Sequence, residues 1–143
     1  MSHPDRVLAA LESIAASDPD LLHGPRAFRP AVMFEWSGTP VPKGRPRMGN
    51  GHVYTPSRTR EFEEAIGWAW RETGAAPFEG DVVVTVDIYE PSRAADLDNY
   101  VKACLDGLNG LAFADDRQVT SLAASVYRKH KPGGVRITIE SAA

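Results

Sequence analysis

The sequence holds a single cysteine, Cys104, among its 143 residues. One thiol cannot close an internal disulfide and excludes a zinc centre built on several cysteines, which fits a reducing cytoplasm. Cys104 sits on an apolar stripe and reads as a small core residue. Long hydrophobic runs are missing too. No segment approaches the ~18 consecutive apolar residues of a membrane span, so no membrane contact is expected. The start, MSHPDRVLAALESIAASDPD, carries Asp5, Glu12 and Asp18 and has no basic stretch leading into an apolar block, so it is not a secretory signal. Internal repeats, low-complexity tracts and Gly-rich phosphate loops are absent, and nothing implies an organic cofactor. A surplus of basic charge is lacking as well: the net charge is -3. Taken alone, that argues weakly against a partner such as DNA, but the distribution of charge matters more than its sum.

That distribution is uneven. From Lys43 to Arg60, KGRPRMGNGHVYTPSRTR, there are five Lys or Arg and no acid. From Ala94 to Asp116 there are five aspartates in 23 residues. A basic segment and an acidic cluster in one small chain suggest a polyanion held beside a metal. The plainer alternative is a solvated loop next to an ordinary exposed helix.

The length is that of one domain with a real core. Residues 4–16 can form an amphipathic helix with Val7, Leu8, Leu11 and Ile14 on one side. The next stretch, SDPDLLHGPRAFRP, reads as a linker. Residues 1–29 are therefore expected to be an appendage, and 30–143 the domain. AVMFEWSG over 31–38 predicts a strand, and GNG over 49–51 the turn of a hairpin whose return strand is HVYT. Thr55 as cap and Pro56 as first residue predict a helix running to about Thr73 and stopped by Gly74. Its buried face is Phe62, Ala65, Ile66, Ala69 and Trp70.

DVVVTVDIYE over 81–90 alternates as a strand does, with Val82, Val84, Val86 and Ile88 on one face. NYVKACLDGLN predicts a helix with Val101, Cys104, Leu105 and Leu108 as its core stripe. Two further strands, roughly 118–129 and 135–140, are expected to pair antiparallel through the turn KPGG. The whole reads as a single α+β domain with a mixed sheet of about four strands, two helices against one face, and an N-terminal helical extension.

Asp96 and Asp98 are two apart, so in an extended approach to the helix both carboxylates leave on the same side. Oxygen ligands without His or Cys favour a hard cation, Mg²⁺ or Mn²⁺. Lys102 and Asp106 follow at successive intervals of four and lie near Asp98, flanking the apolar stripe. Asp115 and Asp116 are expected to open the next strand. Adjacent strand residues point to opposite faces, so only one of that pair, Asp116, is expected to join the site. The residues alone leave other uses open. Asp96 or Asp98 can be a helix N-cap, and Asp98–Lys102–Asp106 can be surface ion pairs of a few tenths of a kcal/mol each.

DLDNYVKACLDGL followed by FADDRQV resembles the signature of the RusA family of Holliday-junction resolvases. The earlier PVPKGRPRMGNGHVYTPSRTREFEEAI resembles the same family's front half: a basic, proline-containing loop, a tyrosine-threonine-proline turn, then a helix. Together the resemblance covers about residues 31–140 and leaves the N-terminal extension outside. It implies an Mg²⁺-dependent endonuclease, with Mn²⁺ able to substitute, acting as a homodimer on four-way DNA junctions. Such enzymes cut two opposing strands symmetrically in recombination and repair, often in phages or prophages, hence in a bacterial or phage-infected cytoplasm.

Carried over residue by residue, the resemblance implies catalytic Asp96, Asp98, Lys102 and Asp116, with the three aspartates as metal ligands. Asp115 matches a frequent acid of the family. Lys102 beside the metal can contact the scissile phosphate or stabilise the departing oxygen. Lys43, Arg45, Arg47, Arg58, Arg60 and Lys129 are candidates for phosphate contacts that position duplex arms without reading sequence. Two alternatives stand beside the resolvase reading: a broader branched-DNA or flap nuclease, and a DNA-binding module without catalysis. The four charges at 96, 98, 102 and 116 argue against the last.

Overall fold

The structure is a computed structural model that describes residues 29–44, 47–49, 51–54 and 56–142. The helix expected over 4–16 and the linker after it, up to residue 28, lie outside the described residues, as do Arg45 and Thr55. Among the described residues no helix is long and apolar enough to cross a membrane.

The elements follow the order β1 (Val32–Ser37), β2 (Arg47–Gly49), β3 (His52–Tyr54), α1 (Ser57–Glu72), β4 (Val82–Glu90), α2 (Leu97–Leu108), β5 (Val119–Arg128) and β6 (Gly134–Ser141). A single 3₁₀ turn, Asp116–Gln118, precedes β5. Strands β1, β6, β4 and β5 form one mixed sheet in that spatial order, and β2 and β3 form a separate hairpin. This is the expected α+β domain.

Period-two alternation decides which face is buried. Val82, Val84, Val86 and Ile88 of β4 and Val135, Ile137 and Ile139 of β6 point inward, and Phe34 joins them from β1. The helices cover this face. From α1 come Phe62, Ile66, Ala69 and Trp70; from α2 come Tyr100, Val101, Ala103, Cys104 and Leu108. Truncating one of the large members, Ile66 or Ile137, costs about 2–5 kcal/mol through lost transfer energy and the cavity left behind.

Two expectations are corrected. Pro56 takes the N-cap position of α1 rather than the first helical one, and its carbonyl accepts the Arg60 amide at 3.1 Å. The two last strands do not pair with each other. Strand β4 lies between them, parallel to β5 and antiparallel to β6. The reason is burial: β6 presents three fully inward apolar residues and takes an interior place, whereas β5 exposes Leu122 and Tyr127 and takes the margin. The connection over 129–133 therefore crosses the end of β4, where the His130 amide donates to the Glu90 carbonyl at 2.9 Å.

At the far end of β4, the Arg29 guanidinium lies 3.6 Å over the Phe78 ring and donates to the Pro77 carbonyl at 3.0 Å. Gly74, with φ of 71°, ends α1 as expected.

Candidate active site

Strand β4 delivers the chain to one end of the sheet, and residues 91–95 turn it back into α2. Asp96 is the N-cap of α2 in extended conformation, φ −75° and ψ 148°, yet it makes no side-chain capping hydrogen bond. Its carboxylate is thus not engaged by the helix's own amides. Asp98 follows in the first turn, where the partial positive charge of the helix start favours an anion.

One flank of α2, the inner side of β5 and the turn before β5 enclose a groove of about 370 Å³. Leu97, Val101, Leu105, Leu122 and Ala124 make its apolar lining. Asp98, Lys102, Asp106 and Asp116 supply the charge. Three of the four sequence-predicted catalytic residues therefore line one groove. Asp96 does not line it; it stands exposed at the helix start, two residues before Asp98. Among the described residues, no three acidic, imidazole or thiol side chains stand close enough to hold one metal ion together.

Asp115 and Asp116 part company, but not as adjacent residues of a strand. Neither lies in a strand. Asp115 caps the 3₁₀ turn: its side chain accepts the Arg117 amide at 2.9 Å, while the Gln118 side chain accepts the Asp115 amide at 3.1 Å. The Arg117 amide and guanidinium together hold the Asp115 carboxyl below its usual value. Asp116 is left to face the groove.

Asp106 does not pair with Lys102. Its partner is Lys43, at 2.8 Å, and Lys43 also holds Glu63 of α1 at 2.6 Å. Burial pushes the Lys43 ammonium down, but the two carboxylates outweigh it and the pKa ends above the usual value. The backbone around Lys43 is tied down as well. Its amide donates to the Asn99 carbonyl of α2 at 2.8 Å, and the Gly44 amide donates to buried Thr59 Oγ1 at 3.1 Å. The base of the basic segment is thus fixed against the start of α2 and the first turns of α1. Lys43 itself acts inside that joint, with a side chain only 18% exposed.

Arg58 and Arg60 are exposed on the first turns of α1, and Lys129 is exposed at the end of β5 with φ of 54°. Arg45 lies outside the described residues, and of Arg47 the backbone alone is described, in β2.

A second polar cluster lies at the end of β4. Glu90, the last residue of β4, is 1% exposed. Its Oε2 accepts the Tyr100 hydroxyl and the Ala94 amide, the latter at 3.2 Å, and its Oε1 accepts Arg128 Nη1 at 3.0 Å. Burial pushes the Glu90 carboxyl up; the Tyr100, Ala94 and Arg128 donors outweigh it and hold it below the usual value. The sequence does contain the signal. Glu90 continues the inward series 82, 84, 86, 88 of β4, so the alternation that buries four apolar residues buries a carboxylate next.

The profile of endodeoxyribonuclease RusA matches residues 37–140, which take in strands β4, β5 and nearly all of β6, both helices and the groove. The chain belongs to the RusA family. A RusA-family chain is an endodeoxyribonuclease by family, a phosphodiester hydrolase acting on DNA, and the family's work on junctions ties it to recombination. The chain is also similar to the uncharacterized protein YqaN of Bacillus subtilis (strain 168), 27% identical over 128 residues, covering 71% of this chain and 90% of that protein. The RusA match leaves out residues 1–36, so it begins at the end of β1.

Proposed function

We propose that this RusA-family protein is an Mg²⁺-dependent, structure-selective endodeoxyribonuclease that resolves four-way DNA junctions by paired symmetric nicks, acting as a homodimer. The observation that carries the reading is the placement of Asp98, Lys102 and Asp116 in one groove of a chain from this family.

The residues fit a hard divalent cation. Asp98 and Asp116 come from separate elements into one groove, Asp96 at the helix start outside it has a carboxylate that caps nothing, and no imidazole or thiol lines the groove. Mg²⁺ is commonly held by one or two carboxylates together with water and substrate phosphate, so an open pair of acids suits it better than a closed cage would. Asp98 and Asp116 would hold the ion, with Asp96 as the third oxygen donor. The chemistry Mg²⁺ supplies when bound is neutralisation of phosphate charge and a lowered pKa for the attacking water.

The chain's own groups supply the rest. Lys102 lies in the same groove as Asp98 and Asp116, where an ammonium stabilises charge developing on a non-bridging or departing phosphate oxygen. Arg58 and Arg60, exposed on α1, offer sequence-independent phosphate contacts beside the anchored base of the basic segment. Two symmetric cuts call for two copies of the groove, which a two-fold dimer provides.

The test is cleavage of a labelled synthetic four-way junction in Mg²⁺, run beside linear duplex and a flap. Symmetric nicks confined to the junction and lost in Asp98→Asn support the reading. Equal cutting of all substrates would replace it with a general nuclease, and tight binding without cutting with a binding module.

A further inference from the structure

We propose that buried Glu90 and Tyr100, with half-buried Arg128, form a clamp that sets the approach of residues 94–96 to α2 and thereby aims Asp96 and Asp98. Glu90 is then a positioning residue for cleavage, an inference that rests on the nuclease reading above.

The clamp joins four pieces of chain. Glu90 ends β4, Tyr100 lies in α2, Arg128 ends β5, and Ala94 belongs to the turn between β4 and α2. The turn is gripped on both its polar edges. Glu90 Oε2 takes the Ala94 N–H at 3.2 Å, and Arg128 Nη1 donates to the Ala95 carbonyl at 2.9 Å while also holding Glu90 Oε1 at 3.0 Å. The residue after Ala95 is Asp96, and α2 begins at once. Any slack in this grip moves the helix start and its two carboxylates together.

Stability alone does not explain the cluster. A buried ion pair with its desolvation cost is commonly no more stable than an apolar replacement of the same volume. Every inward position of β4 before Glu90 is apolar, from Val82 to Ile88, so an apolar residue at 90 would continue an existing core. What an apolar residue cannot do is hold a backbone N–H and, through Arg128, a backbone C=O at a set distance. The directional bonds constrain the turn where dispersion contacts would let it slide.

The test uses the full chain and three substitutions: Tyr100→Phe, which deletes one hydroxyl and keeps the ring, Glu90→Gln, which keeps shape, and Glu90→Leu. Three quantities are read: single-turnover junction cleavage, the Mn²⁺ concentration for half-maximal cleavage alongside Mn²⁺ binding by calorimetry, and amide hydrogen exchange across residues 94–99. In Tyr100→Phe, cleavage is expected to fall about 10–100-fold, the loss typical of small misplacements at a reacting centre. Mn²⁺ affinity should fall about 10-fold, the scale seen when groups that orient metal ligands are removed. Exchange at 94–99 should quicken while junction binding in Ca²⁺ stays within about twofold, because phosphate contacts lie elsewhere. Glu90→Gln should lie between Tyr100→Phe and wild type. If Glu90→Leu does not fold, Tyr100→Phe decides. Wild-type cleavage and Mn²⁺ affinity in Tyr100→Phe and Glu90→Gln overturn the proposal, even if exchange quickens, because the clamp would then be merely structural. A wild-type protein that does not cut the junction brings down the nuclease reading, and the clamp's role in cleavage falls with it.

Discussion

A Cβ placed on Gly107 of α2 would lie 2.6 Å from the carbonyl oxygen of Glu63 in α1, so the two helices cross with backbone against backbone. On the α1 side, a Cβ on Gly67 would come within 3.2 Å of the Gly107 carbonyl. Gly107→Ala must therefore separate the helices. The expected cost is about 1–3 kcal/mol, as for other overpacked contacts, and a fall in Tm of roughly 3–10 °C for a domain of this size. Differential scanning calorimetry checks it, and an unchanged Tm would mean that the helices slide apart freely.

Neighbouring aspartates should behave unlike each other. Asp116→Asn removes a carboxylate from the groove and should lower single-turnover cleavage by at least ~100-fold, the usual scale for losing one electrostatic group at a reacting centre. Asp115→Asn leaves the groove intact and should cut at near wild-type rate, with about 1 kcal/mol of stability lost from the cap at most. Equal losses from both would show that the turn does not separate their roles.

The Lys43 joint predicts an alkaline limb. Its pKa is raised above the ordinary 10.5, so its contribution is fully present below that value and is lost as pH rises through the higher folded value. Lys43→Met leaves Glu63 and Asp106 without their cation and should cost about 1–3 kcal/mol at pH 7. Urea midpoints taken at pH 7 and pH 11.5 should show the gap between wild type and variant narrowing at the higher pH.

Glu90 predicts the opposite limb. Its folded pKa lies below the ordinary 4.5, so its contribution is present above 4.5 and lost as pH falls through the lower folded value. Urea denaturation between pH 6 and pH 3 should show wild type losing stability below pH 4.5 more steeply than Glu90→Gln. Parallel curves would mean that the carboxylate's charge is not used.

Cys104 is fully buried, and burial pushes its thiol up to about 12. It should resist a disulfide-exchange reagent at pH 8 in the folded protein and react at once in denaturant. Absorbance of the released thiolate reads the difference.

Much of this was legible in the sequence, and the failures share a cause. Alternation in β4 and the 3.6-residue period in α2 identified Val82 to Ile88 and Val101, Cys104 and Leu108 as core, because burial of one face is a local property of each element. Spacing along α2 puts Asp98 and Lys102 on one flank, but Asp116 reaches their groove from a 3₁₀ turn and not from the expected strand start, and Asp96 stays outside it. What spacing does not give is pairing between elements. The sequence placed β5 beside β6 because a tight turn joins them, whereas the competition for interior positions put β4 between them. Charge alone points Lys43 at phosphate, whereas its neighbours in the fold, Glu63 and Asp106, lie 20 and 63 positions away. Glu90 was visible in the alternation, but a charge at a strand end looks like the strand's limit until its donors are known.

The spatial order β1-β6-β4-β5 has a consequence for the growing chain. β1 and β4 are synthesised well before β6, yet β6 is the strand that joins them, pairing Phe34 with Ile137 and Val86 with the same residue. Until residues 134–141 have left the ribosome, two apolar strands have edges open to the wrong neighbour, and α1 and α2 have no finished sheet to rest on. Such late, long-range closure slows folding and prolongs the interval in which unpaired edges can associate between chains. The nascent protein is therefore expected to be most dependent on chaperones just before β6 emerges.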